Sequence, residues 1–236
     1  MATPQESKYA IHEAAREGRS AAVESLLNAN PSLATRRDED ERLPLHWAVS
    51  YNHMPIVQLL VEWKDFDVDA QDSIGWTPLM MASSRKDSDE ILDLLLARGA
   101  DVNKTNNNAQ TPLHFATSKN SLTTARKLII AGASTRKKDK RQQLPLHRAA
   151  AIGSVPMLKL LLDNKSPMNA TDIDSFTGLH HAISEGHGDA ALFLLKEGIN
   201  WRKEDREGNV ALKLCPDEKI KTFILTSAER EGIELT

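Results

Sequence analysis

The tetrapeptide Thr111-Pro112-Leu113-His114 decides the fold, because altered copies of it recur along the whole 236-residue chain. The copies are Tyr9-Ala10-Ile11-His12, Leu43-Pro44-Leu45-His46, Thr77-Pro78-Leu79-Met80, Leu144-Pro145-Leu146-His147, Thr177-Gly178-Leu179-His180 and Val210-Ala211-Leu212-Lys213. The fourth positions of successive copies are separated by 34, 34, 34, 33, 33 and 33 residues. A second marker keeps the same period, since an Asp or Asn precedes the last six fourth positions by eight residues: Asp38, Asp72, Asn106, Asp139, Asp172 and Asp205.

A period near 33 residues that carries Thr-Pro-Leu-His is typical of ankyrin repeats. The threonine hydroxyl can cap a helix, and proline at the first helical position has no amide hydrogen left unbonded. A turn and a second apolar helix, such as residues 91–97, follow each short first helix. The sequence therefore predicts an all-α ankyrin-repeat solenoid of about seven helix-turn-helix repeats joined by β-hairpin loops.

One such helix pair is too small to bury its apolar faces, so neighbouring repeats must stack into a curved solenoid. We expect an N-terminal tail at 1–7, a single ankyrin domain over 8–225 and a C-terminal tail at 226–236. The approximate repeats are 8–37, 38–71, 72–105, 106–138, 139–171, 172–204 and 205–225. Among the hairpin loops only Gly75 and Gly208 keep the usual glycine. We therefore expect the other hairpin tips to be irregular.

The composition, with 40% hydrophobic and 27% charged residues, is typical of a folded protein. No apolar stretch approaches the roughly 20 residues of a spanning helix, and the N-terminus has no basic and apolar signal pattern. The single cysteine, Cys215, cannot form an intramolecular disulfide. We expect a protein that stays inside the cell, does not contact membranes and is a monomer by itself.

Histidine is common at metal and catalytic sites, but five of the eight histidines occupy one repeat position. They are His12, His46, His114, His147 and His180. This pattern favours hydrogen bonds between neighbouring repeats. A weaker metal-binding alternative is the cluster of His181, Glu185 and His187, which falls short of a full zinc ligand set. No phosphate loop, nucleophile elbow or dinucleotide fingerprint is present. We expect no enzyme activity, no metal and no cofactor.

The net charge of −3 is distributed unevenly along the chain. Residues 1–100 carry 10 basic and 17 acidic side chains, residues 101–150 carry 10 and 2, and residues 151–236 carry 10 and 14. Such alternation would steer a partner of complementary charge into register. The basic run at 136–141 resembles a nuclear-import or nucleic-acid patch. Because the acidic segments on either side would repel phosphate, we expect no nucleic-acid partner and leave nuclear import open.

In ankyrin stacks the first helices and the hairpin tips line the concave face. The position directly after each motif holds large side chains, which favours a protein interface there, although packing against a neighbouring hairpin is the alternative. The residues that the repeat register places on this face are Arg42, Trp47, Tyr51, Trp76, Met81, Arg85, Phe115, Lys119, Arg141, Arg148 and Phe176.

Several segments are similar to the gankyrin family, especially to its fungal members. They are Leu45-His46-Trp47-Ala48, Gly75-Trp76-Thr77-Pro78, Ser118-Lys119-Asn120, His147-Arg148-Ala149-Ala150 and Glu185-Gly186-His187-Gly188-Asp189-Ala190. The resemblance implies a non-catalytic assembly chaperone of the proteasome regulatory particle, present in cytoplasm and nucleus. It would bind the C-terminal domain of one proteasomal ATPase subunit on its concave face and hinder premature docking to the core particle.

The same resemblance assigns roles to individual residues. Arg42 and Lys119 would contact acidic groups of the ATPase domain, and we expect both side chains to be exposed. Asp40 and Ser73 would meet basic groups, and Glu185 belongs to the same partner-binding set. The family's Leu-x-Cys-x-Glu stretch, which is associated with retinoblastoma-protein binding, is replaced here by His181-Ala182-Ile183-Ser184-Glu185. That activity is therefore not expected.

Two alternatives remain. A generic ankyrin-repeat inhibitor or scaffold of a transcription factor or kinase would have a partner outside the proteasome, and its binding would survive changes at Arg42 and Lys119. An enzyme would show bound metal or substrate turnover.

Overall fold

The computed structural model describes residues 8–63 and 66–235, so the tail expected at 1–7 lies outside the described residues. The described chain alternates short helices with hairpin loops and contains no β-strand, only an isolated antiparallel bridge between Glu204 and Val210. The predicted all-α ankyrin solenoid is confirmed. The chain divides between Asn107 and Asn108 into two compact units.

Six α-helices in three pairs and one 3₁₀ helix make up the described part of the first unit. The α-helices are α1 (Ala10–Arg16), α2 (Ser20–Ala29), α3 (Pro44–Ser50), α4 (Met54–Val61), α5 (Pro78–Ser83) and α6 (Asp89–Ala97). The 3₁₀ helix, Pro31–Thr35, follows α2.

The second unit continues the same alternation. Its helices are α7 (Pro112–Ser118), α8 (Leu122–Ile130), α9 (Pro145–Ala151), α10 (Val155–Asp163), α11 (Gly178–Ser184), α12 (Gly188–Lys196), a 3₁₀ helix (Ala211–Leu214) and α13 (Glu218–Arg230). The boundary between the two units falls inside the range 8–225 that we expect for a single ankyrin domain. Each repeat of a solenoid contacts only its neighbours, so a boundary between repeats can separate two compact units.

The repeated motif builds the core directly. At Thr77 the side chain accepts a hydrogen bond from the Met80 amide, and Pro78 opens the helix. The motif leucines are at most 2% exposed, at Leu45, Leu79, Leu113, Leu146 and Leu179. The alanines three residues further on are at most 1% exposed, at Ala48, Ala82, Ala116, Ala149 and Ala182. A small residue on the same helical face lets the neighbouring helix approach closely.

The last helix crosses the boundary between the expected domain and the C-terminal tail expected at 226–236. Helix α13 runs through this boundary to Arg230, because Ile224 and Ala228 lie four residues apart on its buried face. The helix ends with Gly232 at a positive φ of 72°. There the amide of Gly232 donates to Glu229 and that of Ile233 donates to Ala228, which is the Schellman pattern.

The hairpin tips share one backbone conformation, so the expectation of irregular tips is wrong. The six equivalent tip residues have φ between 58° and 79°: Glu41, Gly75, Ala109, Gln142, Ser175 and Gly208. Successive tips are joined by backbone hydrogen bonds of 2.9–3.3 Å, namely Ser73 to Asp40, Asn107 to Ile74, Lys140 to Asn108, Ile173 to Arg141 and Arg206 to Asp174. These bonds impose the left-handed conformation even where no glycine is present.

A pair of substitutions tests this imposed strain. Ala109→Gly should raise the free energy of unfolding by about 0.5–1 kcal/mol. The steric cost of the left-handed region for a residue with a β-carbon exceeds the extra conformational entropy that glycine loses on folding. Gly75→Ala should lower it by about 1–2 kcal/mol or more, since φ is 79° and a β-carbon would approach the Asn107 amide to 2.7 Å. Urea unfolding of both variants measures the two changes. A destabilised Ala109→Gly variant would contradict the strain.

Candidate functional site

The repeated histidines attach each first helix to the loop that follows. In His46, Nδ1 accepts a hydrogen bond from the Leu43 amide at 3.1 Å, and Nε2 donates to the Ala70 carbonyl at 3.0 Å. An amide can only donate and a carbonyl can only accept, so the neutral Nε2–H tautomer is fixed. The bonds repeat at His114, His147 and His180, and His12 contacts two loop carbonyls. The hydrogen-bonding role predicted for these residues is confirmed.

Burial sets the protonation state of these imidazoles. It lowers the pKa of His46, His114 and His147 to about 4 each, because a charged ring would lose its hydration. Burial also lowers the pKa of His12 and His180. The rings are therefore neutral structural groups at physiological pH.

An aspartate shapes five of the six described hairpins, and it is buried at Asp72, Asp139, Asp172 and Asp205 and half-buried at Asp38. In Asp72, Oδ1 accepts the backbone amides of Ile74 at 3.1 Å and Trp76 at 2.8 Å. The same carboxylate oxygen accepts two amides, two and four residues further on, in Asp38, Asp139, Asp172 and Asp205. From the sequence alone, these residues mark only the period of the repeat. Their regular spacing is the signal that identifies their role in closing the hairpins.

The second carboxylate oxygen needs its own donor. Asp38 receives the Trp47 indole N–H at 2.7 Å. The residue nine positions after the aspartate plays the same part elsewhere, since Arg148 Nη2 lies 2.7 Å from Asp139 and His181 Nε2 lies 2.9 Å from Asp172. Burial alone would raise the pKa of Asp38 and Asp172, but these hydrogen bonds hold both below the usual value.

Arg42 supplies the donor for Asp72, because the side chain of Met81, nine residues after Asp72, carries no N–H group. Arg42 Nε lies 3.2 Å from Asp72 Oδ2, with 25% of its side chain exposed against 1% for the aspartate. Its guanidinium also sits 4.9 Å from the Trp47 ring. The expectation that Arg42 is an exposed charge is therefore wrong.

The remaining predicted residues of the first unit differ in exposure. Asp40 and Ser73 are exposed on hairpin tips, and Tyr51 is 51% exposed beside Trp47. Trp47 and Trp76 are half-buried. Met81 is buried, at 4% exposure, which leaves only a small part of it for a partner.

Arg85 is also occupied within the first unit. It contacts both carboxylate oxygens of Asp87, at 2.9 and 2.8 Å, and donates to the Ser50 carbonyl at 2.7 Å. A bidentate pair of this kind holds the planar guanidinium in one orientation.

The second unit exposes three of its predicted residues, Lys119, Arg141 and Glu185. Lys119 lies at the C-terminal end of α7. Arg141 is 68% exposed on a hairpin tip, 3.6 Å from Asp174. Half-buried residues complete the predicted set here: Phe115, Arg148 and Phe176, the last stacked on His180.

His181, His187 and Cys215 lie in separate surroundings in the described chain. Within residues 8–63 and 66–235, no three His, Cys, Asp or Glu side chains are arranged to hold a metal. His181 is paired with Asp172, and His187 donates to the Ala151 carbonyl at 3.1 Å. Burial raises the pKa of Cys215, so its thiol stays protonated at neutral pH. No described helix is long and apolar enough to cross a membrane.

Comparison with known proteins places the chain in a family. A model of ankyrin repeats matches residues 11–106, 64–139 and 113–205, so the chain belongs to the ankyrin-repeat proteins. It is 39% identical over 227 residues to a Saccharomyces cerevisiae protein named as a probable 26S proteasome regulatory subunit p28, covering 94% of this chain and 99% of that protein. The chain belongs to this family, and the resemblance to gankyrin is confirmed.

Further matches agree with the fold. An ankyrin repeat-containing protein of Schizosaccharomyces pombe is 34% identical, over 90% of this chain and 92% of its own length. The ankyrin repeat domain of human ASB11 has a TM-score of 0.81 at 22% identity, covering 96% of this chain and 98% of that one. The ankyrin repeat domain of Bcl-3 has a TM-score of 0.76 at 25% identity, covering 91% and 96%.

The neutral histidines predict an acid-sensitive fold. The folded pKa of about 4 lies below the ordinary 6.5, so the unfolded chain binds more protons between these values. Stability should therefore fall as the pH drops below about 6.5, by roughly 1–2 kcal/mol for each of His46, His114 and His147 between pH 7 and 5.

Urea unfolding at pH 7, 6 and 5 measures this dependence. His114→Gln removes one of five histidines whose pKa burial lowers, so it should reduce the slope of stability against pH by roughly a fifth to a third, whatever its effect at pH 7. Asp38 and Asp172, with pKa values held below 3.8, add nothing in this range. A flat profile between pH 7 and 5 would contradict the assignment.

Proposed function

We propose that this chain is a non-catalytic assembly chaperone of the proteasome regulatory particle. It binds the C-terminal domain of one proteasomal ATPase subunit through its first helices and hairpin tips. The observation that carries the proposal is the 39% identity with the yeast protein named as proteasome subunit p28, which extends over 99% of that protein. Identity over the full length of a repeat protein is more specific than a shared repeat type, since the repeat alone supports many partners.

The exposed residues of the predicted surface support a protein partner. The first unit presents Asp40, Tyr51 and Ser73, and the second presents Lys119, Arg141 and Glu185. Tyrosine and arginine are enriched among the side chains that dominate binding energy at interfaces. Charges of both signs on separate hairpins give a partner an electrostatic register.

Occupancy of the ATPase domain is the proposed mechanism. A chaperone bound there hinders docking to the core particle by excluding it sterically, so no chemical step is needed. The structural roles of the histidines and the protonated thiol of Cys215 agree with a non-catalytic function. The protein acts in cytoplasm and nucleus, where proteasomes would be assembled.

The testing experiment is a calorimetric titration of the full chain against the isolated C-terminal domain of each proteasomal ATPase subunit, at two salt concentrations. Saturable one-to-one binding to a single domain, weakened by salt, is expected. Absence of binding to every domain would overturn the proposal. The generic inhibitor or scaffold function would then be pursued through transcription factors and kinases as ligands.

Charge reversal at Lys119 tests the surface itself. Lys119→Glu should weaken binding about tenfold or more and reduce its dependence on salt, because an exposed cation facing the partner is replaced by an anion. The matched control is Arg126→Glu, the same change of sign at an exposed position of α8 in the same repeat. Both variants should melt close to the wild-type temperature, because substitutions at exposed positions usually change stability little. Equal binding by the two variants would place the interface elsewhere.

A further inference from the structure

Helix α13 and the segment that follows it form a groove of about 580 Å³ in the second unit. Its lining residues are Leu225, Glu229, Gly232, Ile233, Glu234 and Leu235. The partner surface on the first helices and hairpin tips does not include any of these residues. The groove is therefore a candidate for a separate contact.

The end of the helix explains why the groove forms. Leu225 and Glu229 lie four residues apart, so they share one face of α13. The helix ends at Gly232, whose φ is 72°, and the amide of Ile233 donates to the Ala228 carbonyl at 2.9 Å. In this Schellman ending the chain turns back beside the last helical turns. The groove lies between Leu225 and the returning segment.

Aliphatic side chains make up the apolar part of the groove. Leu225 has 38% of its surface exposed, and Ile233 and Leu235 are half-buried. A single exposed leucine is common on protein surfaces, but several aliphatic groups side by side in a groove favour contact with another molecule.

Two carboxylates without a partner accompany these side chains. Glu229 and Glu234 are exposed, and within residues 8–63 and 66–235 neither carboxylate has a hydrogen-bond or ion-pair partner. Glu231 differs, because it lies 2.8 Å from Lys196. Arg230 is exposed next to Glu229 but does not line the groove. Uncompensated negative charge beside aliphatic walls favours a ligand that is both basic and apolar.

The same charges disfavour two other occupants. The surface of an anionic membrane attracts basic segments, and the two glutamates of the groove would be repelled by it. A second copy of the chain that presented the same groove would place glutamates opposite glutamates, which is unfavourable. A basic segment of a different protein meets neither obstacle.

We propose that this groove binds a basic, amphipathic segment of a protein partner. An aliphatic side chain of that segment packs between Leu225, Ile233 and Leu235, and its lysines or arginines pair with Glu229 and Glu234. The inference does not rest on the proposed function, because it concerns a second surface with its own ligand chemistry.

The first test uses a short synthetic peptide of alternating lysine and leucine with blocked ends. The full chain, labelled at isoleucine and leucine methyl groups, is titrated with it by NMR. The signals of Leu225, Ile233 and Leu235 should shift in a saturable manner, and that of Ile130, which is 87% exposed on α8, should stay unchanged. Replacing every lysine of the peptide by glutamate should abolish the shifts, and replacing every leucine by serine should weaken binding about tenfold or more. Equal shifts with the glutamate peptide, or none with the lysine peptide, would overturn the proposal.

The second test changes the groove and keeps the lysine peptide. The double variant Glu229→Lys with Glu234→Lys should lose affinity about tenfold or more, because two attractive charges become repulsive. The matched control is Glu24→Lys, the same reversal at an exposed position of α2 in the first unit, and it should bind as the wild type. Urea unfolding should find both proteins about as stable as the wild type, since the positions are exposed. Undiminished binding by the double variant would contradict the assigned carboxylates.

Two further measurements decide between occupants. Sedimentation at increasing protein concentration should show no dimer that Leu225→Ser abolishes, and vesicles containing phosphatidylserine should not bind the chain. A dimer lost in Leu225→Ser would assign the groove to a second copy. Vesicle binding lost in the same variant would assign it to a membrane, and either result would overturn the proposal.

Discussion

The aspartate carboxylate found in five of the six described hairpins is the interaction on which the rest of the structure depends. One oxygen of Asp72 accepts two backbone amides and thereby closes the loop, which places the tip residue in the left-handed region. The closed tips then bond to one another through backbone groups, and the histidines bond the helices to the adjoining loops. A charge that is almost wholly buried must be compensated, so the second oxygen dictates which side chains stand beside it.

That requirement explains the variation at the position after each motif. Trp47, Arg148 and His181 each supply a donor to the aspartate nine residues earlier. Met81 cannot, and Arg42 acts in its place. In the fourth repeat this position holds Phe115, and the hairpin residue is the neutral Asn106 instead of an aspartate. The hairpin carboxylate therefore accounts for a tryptophan, an arginine and a histidine at this position without any partner.

The sequence predicted the repeats, the helix starts and the role of the histidines, because these follow from a period and from local capping chemistry. It could not predict the pairing of Arg42 with Asp72, since this contact joins two hairpins 30 residues apart. It also misjudged the tips, where bonds between repeats override the preference of Ala109 and Gln142 for negative φ. The helical extension beyond residue 225 depends on Ile224 and Ala228 packing into the described fold, which composition alone does not reveal.

The numbers of charged residues along the chain therefore overstate the electrostatic attraction that acts on a partner. Arg42, Arg85 and Arg148 each face a carboxylate within about 3 Å, whereas Lys119 lies exposed in the segment with the largest excess of basic residues, and Arg141 is 68% exposed there although it lies 3.6 Å from Asp174. Paired charges screen each other and contribute little to attraction at a distance, while exposed ones set the rate and the salt dependence of association. Under the proposed function, the exposed basic residues of the second unit therefore supply most of the electrostatic steering of an acidic partner.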